Sequence, residues 1–104
     1  MKSLILFLLS VLMLSASAQE AEQLAKQKSC MGCHSVDKHT SVVPSFQKVA
    51  EKYKEDPDAL RYIEYKIASG SKGVWSGSAK GMPAYPTLTR AELKTLAQWI
   101  MGTP

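Results

Sequence analysis

Cys30 and Cys33 are the two cysteines of the 104-residue sequence, and they lie three positions apart with a histidine next in line, giving Cys30-Met31-Gly32-Cys33-His34. This C-x-x-C-H spacing is the attachment signature of a c-type haem. Two thiols on one turn of chain can add to the two vinyl groups on one edge of a porphyrin, and the histidine that follows is then held beneath the iron as an axial donor. The thioether links so formed do not dissociate. Two other uses of the same residues fit less well. A thioredoxin-like redox pair requires strands, which the hydrophobic pattern lacks, and a zinc site requires four ligands where only Cys30, Cys33, His34 and His39 are on offer. One covalently bound haem c is the cofactor expected.

A haem iron also has a second axial position, and few side chains in the sequence can fill it. His39 follows His34 by only five residues in a polar stretch, too close to cross to the other face of the ring, and reads as a solvated loop residue. Met31 lies inside the attachment motif and Met101 at the end of the last helical stripe, where methionine ordinarily fills space. Met82 stands in Gly81-Met82-Pro83, in a region with no helical period that would specify a core methionine. A thioether there would be a soft axial ligand that favours ferrous iron and raises the reduction potential. The ligand pair expected is His34 and Met82.

The elements that must position these donors read as helices. Residues 20–29 place Ala21, Leu24 and Ala25 on one face, with acids in the first turn and lysines in the last, as the helix dipole favours. Phe46, Val49, Ala50 and Tyr53 form a second stripe after Pro44. Asp56-Pro57 suggests an N-cap and first-turn proline for a third helix carrying Leu60, Ile63 and Ile67 and ending near Gly70. Thr89 and Glu92 form a capping box between staple residues Leu88 and Leu93, opening a fourth helix whose stripe is Leu93, Leu96, Ala97 and Ile100. No stretch alternates as a strand would, so the fold class expected is all-α. Phe46, Leu60, Ile63 and Ile67 are the apolar candidates for a haem pocket. The twenty residues from Ser69 to Leu88, rich in glycine and proline, have no period of their own, and so long a loop in a small domain implies something to wrap around.

Residues 1–18 read as an export signal: Lys2, an apolar run from Leu4 to Leu14, and an Ala16-Ser17-Ala18 cleavage site. The run is too short for a membrane span, so no membrane anchor is expected and residues 19–104 form one domain, exported to the periplasm. A domain of that size buries too little surface to be robust on core alone, and cysteines so close together close too small a loop to staple it, which again points to a prosthetic group. Thirteen basic residues against nine acids, net +4 with Lys2 included and no block of like charges, do not suggest a nucleic-acid partner.

Taken in order, the helix leading into CMGCH, the PSF segment at Pro44 to Phe46, Val74-Trp75, GMPAYP at Gly81 to Pro86 and LKTLAQWI at Leu93 to Ile100 resemble the small bacterial class I cytochromes c of the c551/c552 type. The resemblance spans essentially all of residues 19–101. It implies a monomeric, periplasmic, single-haem electron carrier between respiratory redox proteins, a donor complex on one side and a terminal reductase or oxidase on the other, and not an enzyme. It also implies that the Pro44 carbonyl accepts a hydrogen bond from the His34 ring and that Trp75 donates to a haem propionate. The sequence departs from that pattern at Val43, where glycine is usual, and at Gly81, where proline is usual, and it contains no asparagine. A sensor or peroxidase-like protein with a labile sixth ligand is the alternative. Lys28, Lys38, Lys72 and Lys80 flank the motif and the ligand loop and are candidates for a ring around an exposed haem edge that docks acidic partners.

Overall fold

The computed structural model describes residues 17–40, 42–75 and 81–104. Most of the export-signal expectation, residues 1–16, lies outside the described residues, as does Lys80. Four α-helices are present among those described: α1 (17–27), α2 (Phe46–Tyr53), α3 (Ala59–Ser69) and α4 (Arg90–Met101), with a single 3-10 turn at Cys30–Gly32. The only ladder pairing among them is an isolated antiparallel bridge between Ser71 and Met82. Among the described residues the fold is all-α, as expected.

Local chemistry sets each boundary. Ser45, buried at the head of α2, accepts from the Lys48 amide through its hydroxyl. At α4 the capping box forms in both directions: the Glu92 amide donates to Thr89 Oγ1 at 3.1 Å and the Thr89 amide donates to the Glu92 carboxylate at 3.0 Å. The start of α3 differs from the Asp56-Pro57 expectation. The helix begins at Ala59, and Asp56 instead closes a turn before it, its carboxylate accepting from the Asp58 amide at 2.9 Å. Aspartate satisfies a nearby amide equally well in an Asx turn as in a cap, and sequence does not separate the two. Helix α1 is already helical at residue 17, the first of the described residues, so the expected start at Glu20 lies within it.

Helix α4 packs against both α2 and α3. Its buried residues Leu96, Ala97 and Ile100 join Ala25 of α1, Phe46 of α2, Ile63 and Ile67 of α3, and Leu88 in one apolar cluster. Ala25 and Ala97 are completely buried, small side chains where large ones would hold the helices apart. Leu60 corrects the stripe read for α3. The face that α3 buries is Ala59, Ile63 and Ile67, a spacing of four, and this turns Leu60 outward to 40% exposure. It does not line the pocket.

Candidate functional site

Helix α1 ends in a tight reversal at Ser29, whose φ of 64° lies in the left-handed region, and the 3-10 turn that follows carries the two thiols. The Cys33 and His34 amides both donate to the Cys30 carbonyl, at 3.2 and 2.9 Å, so Cys30, Cys33 and His34 are displayed on a single hydrogen-bonded turn. Both cysteines are free thiols, and burial pushes the Cys30 thiol above its ordinary value. Among the described residues no group of three or more histidine, cysteine and carboxylate side chains converges as metal ligands would.

His34 is held on two sides. Its Nδ1 lies 2.8 Å from the Pro44 carbonyl oxygen, and because a carbonyl only accepts, the proton is on Nδ1 and the lone pair on Nε2. Its ring stacks on Phe46, centroids 5.0 Å apart and planes inclined by 21°. Burial lowers the imidazole's pKa while the Pro44 bond opposes that shift, so the neutral, donor form is the one favoured near neutral pH. The arrangement is the kind that fixes a metal-binding imidazole and increases its donor strength.

Met82 reaches the same region by another route. Its amide donates to the Ser71 carbonyl at 2.7 Å and its carbonyl accepts from the Ser71 amide at 3.1 Å, while the Tyr85 amide donates to Ile67 at 3.0 Å. The loop holding the methionine is therefore tied to the C-terminal end of α3. Gly81 has φ of 73°, a value closed to proline, so glycine in place of the usual proline is what this backbone requires.

Cys30, Cys33, His34, Pro44, Trp75 and Met82 all line one apolar cleft of about 190 Å³. Among the described methionines Met82 alone does so; Met31 and Met101 pack against the core from outside the cleft. His39 does not line the cleft either. It is exposed, with its ring 6.1 Å from Trp75. Phe46, Ile63 and Ile67 form part of the wall as expected, and Val42, 48% exposed, lies at its edge.

Trp99, Tyr53, Tyr62 and Lys66 are among the wall residues that the sequence reading did not assign to the pocket. Trp99 meets Phe46 edge-on at 5.2 Å, and Tyr53 and Tyr62 lie 5.2 Å apart. Among the described lysines Lys66 lines the cleft, its ammonium 5.5 Å from the Tyr62 ring, whereas Lys28, Lys38 and Lys72 do not line it. Lys52 stands over Trp75 at 5.4 Å. Trp99 follows Leu96 by three positions and was detectable as the edge of the α4 stripe. Lysines on helices read as solvated until a neighbouring element shows what they cover.

Two thiols, a neutral imidazole with its lone pair free and a thioether, gathered in an apolar cleft, are a donor set that fits a covalently attached haem and little else. Comparison with known proteins agrees. Residues 18–104 match the cytochrome c family. Cytochrome c-552 of Hydrogenobacter thermophilus is 48% identical over 81 residues, covering 78% of this chain and 79% of its own, and cytochrome c-551 of Pseudomonas denitrificans is 43% identical, covering 77% and 93%. The crystal structure of cytochrome c552 from Nitrosomonas europaea superposes with a TM-score of 0.71 at 36% identity, over 80% of this chain and 99% of that one. The chain therefore belongs to the cytochrome c family, as a small class I electron carrier of the c551/c552 type for one covalent haem c, whose C-x-x-C-H motif Cys30 and Cys33 fit.

Proposed function

We propose that the protein is a periplasmic, monomeric carrier that passes single electrons between respiratory redox proteins, with Cys30 and Cys33 attaching the haem and His34 and Met82 as the axial ligands. The observation that carries this reading is the convergence of those four side chains, from two separate segments of chain, on one apolar cleft. Haem c, when bound, supplies one reversible electron. The chain's own residues do the rest. Pro44 and Phe46 hold the imidazole in one tautomer and one orientation, and Met82 offers a soft donor that weights the balance toward the reduced state. Ile63, Ile67 and Trp99 keep water out, so charge is moved in a medium of low dielectric. Trp75 lies at the wall where its indole N–H can serve a propionate, beside the ammonium of Lys52.

With His34 and Met82 both holding the iron no substrate would reach it, and the role would be transfer rather than catalysis. Residues 1–18 would be removed on export, and among the described residues no helix is long and apolar enough to cross a membrane. The test is a set of substitutions in the haem-loaded protein. Met82→Ala should abolish the sulfur-to-iron charge-transfer band, lower the potential and admit carbon monoxide, while His39→Ala and Met101→Ala leave all three unchanged. A spectrum that responds to His39→Ala and not to Met82→Ala refutes the axial assignment. Intact mass should equal residues 19–104 plus one haem that resists acid extraction.

A further inference from the structure

Met82 is joined to the rest of the fold through a bridge with almost no clearance. Gly81 sits at φ 73° and Gly70, ending α3, at φ 84°. A Cβ on Gly81 would lie 2.6 Å from the Ser71 carbonyl oxygen, the same oxygen that accepts the Met82 amide at 2.7 Å, and 3.2 Å from the Lys72 Cβ. A Cβ on Gly70 would lie 2.9 Å from the Met82 carbonyl oxygen and 3.2 Å from the Ala84 nitrogen. Both bonds of the Ser71–Met82 bridge thus depend on an absent Cβ, each on the opposite strand of chain. On the other side of Met82 the next backbone tie is Tyr85 to Ile67.

From this geometry we infer that Gly81 and Gly70 act as a latch that positions Met82, so that the bridge to Ser71, rather than the sulfur's own affinity, governs how readily the sixth ligand is released. The inference rests on the reading of Met82 as that ligand. A thioether is a weak donor, and its hold depends on the fraction of time its backbone stays in place. An external ligand binds only the released form, so its apparent dissociation constant equals the intrinsic one divided by the released fraction. Anything that opens the bridge therefore tightens apparent binding of an external ligand even where the intrinsic affinity is unchanged. Gly73 supplies an internal control. Its φ is 76°, close to that of Gly81, yet among the described residues a Cβ there meets nothing within 4 Å.

The experiment uses the haem-loaded protein, azide as external ligand and the sulfur-to-iron band as the report of ligation. Gly81→Ala should tighten apparent azide binding by about tenfold or more, about 1.4 kcal/mol. Gly73→Ala, which bears the backbone strain without the collision, should change it by less than about threefold, under about 0.7 kcal/mol. Gly81→Asn tolerates the left-handed backbone but keeps the collision, and should behave as Gly81→Ala. In the unaltered protein, amide exchange at Met82 and release of the sulfur should report one opening equilibrium, a measurement that requires no variant to fold. Equal azide affinities for Gly81→Ala and Gly73→Ala, or a Met82 amide that exchanges freely while the band persists, overturns the latch. A native protein with no sulfur-to-iron band, or one in which Met82→Ala leaves the band intact, overturns the ligand assignment instead.

Discussion

Phe46 is the residue through which the core holds the site, and its removal in two steps separates volume from aromatic contact. The ring is 3% exposed, stacks on His34 at 5.0 Å and receives the edge of Trp99 at 5.2 Å. Phe46→Leu keeps most of the buried volume and loses both ring contacts. Such contacts are each worth about 0.5–1.5 kcal/mol beyond area burial, so the expected cost is about 1–2 kcal/mol after the leucine's own contacts offset part of the loss. Phe46→Ala also opens a cavity beside Leu96 and Ile100, and falls in the range of about 3–5 kcal/mol seen for phenylalanine truncation. Against a total stability of about 5–15 kcal/mol the second change approaches unfolding. Guanidinium denaturation of the haem-loaded protein, followed by far-ultraviolet circular dichroism, measures both. A double-mutant cycle of Phe46→Leu with Trp99→Leu should return a coupling of about 0.5–1.5 kcal/mol. Equal costs for the leucine and alanine variants, or a coupling near zero, would show that the rings are neighbours without energetic consequence and refute the claim that α4 steadies the histidine through Phe46.

Other outcomes follow from single features. Burial first, and then the neighbouring Tyr62, push the Tyr53 hydroxyl up to about 12; because the folded value exceeds the unfolded value of 10.0, its contribution is complete below pH 10.0 and is lost as pH rises toward 12. Alkaline melts should show that limb in the native protein and a flatter one in Tyr53→Phe. The Thr89 amide holds the Glu92 carboxyl below its ordinary value of 4.5, so this contribution is present above pH 4.5 and lost as pH falls through the folded value; Glu92→Gln should make acid melts less steep there. Electron transfer to an acidic partner should slow as salt rises from about 0.01 to 0.1 M, over which the Debye length shrinks from about 30 to 10 Å, and Lys28→Gln, Lys38→Gln, Lys72→Gln and Lys80→Gln should weaken that dependence more than Lys48→Gln or Lys94→Gln. A rate flat with salt removes the lysine docking face.

What could be read without coordinates was whatever is local in the chain. The C-x-x-C-H turn, the Thr89–Glu92 capping box, the glycine at the end of α3 and the stripe of α4 each depend on residues within a few positions of one another, and each is found where its spacing places it. Met82 was selected by elimination among few donors, since a small sequence holds few thioethers, and it lines the same cleft as Cys30, Cys33 and His34. Tertiary structure decided the rest. Whether Asp56 caps a helix or closes a turn, and whether Leu60 or Ala59 faces inward, depends on the direction from which α4 meets α3, which no local pattern encodes. The same holds for Lys66 at the cleft wall, the two tyrosines beside it, Phe46 against the His34 ring, and the bridge that ties Met82 to Ser71 across eleven positions of sequence. Side-chain type and spacing define which atoms can donate to a metal. Only long-range packing, through contacts between segments far apart in the chain, determines which of them meet and how firmly they are held there.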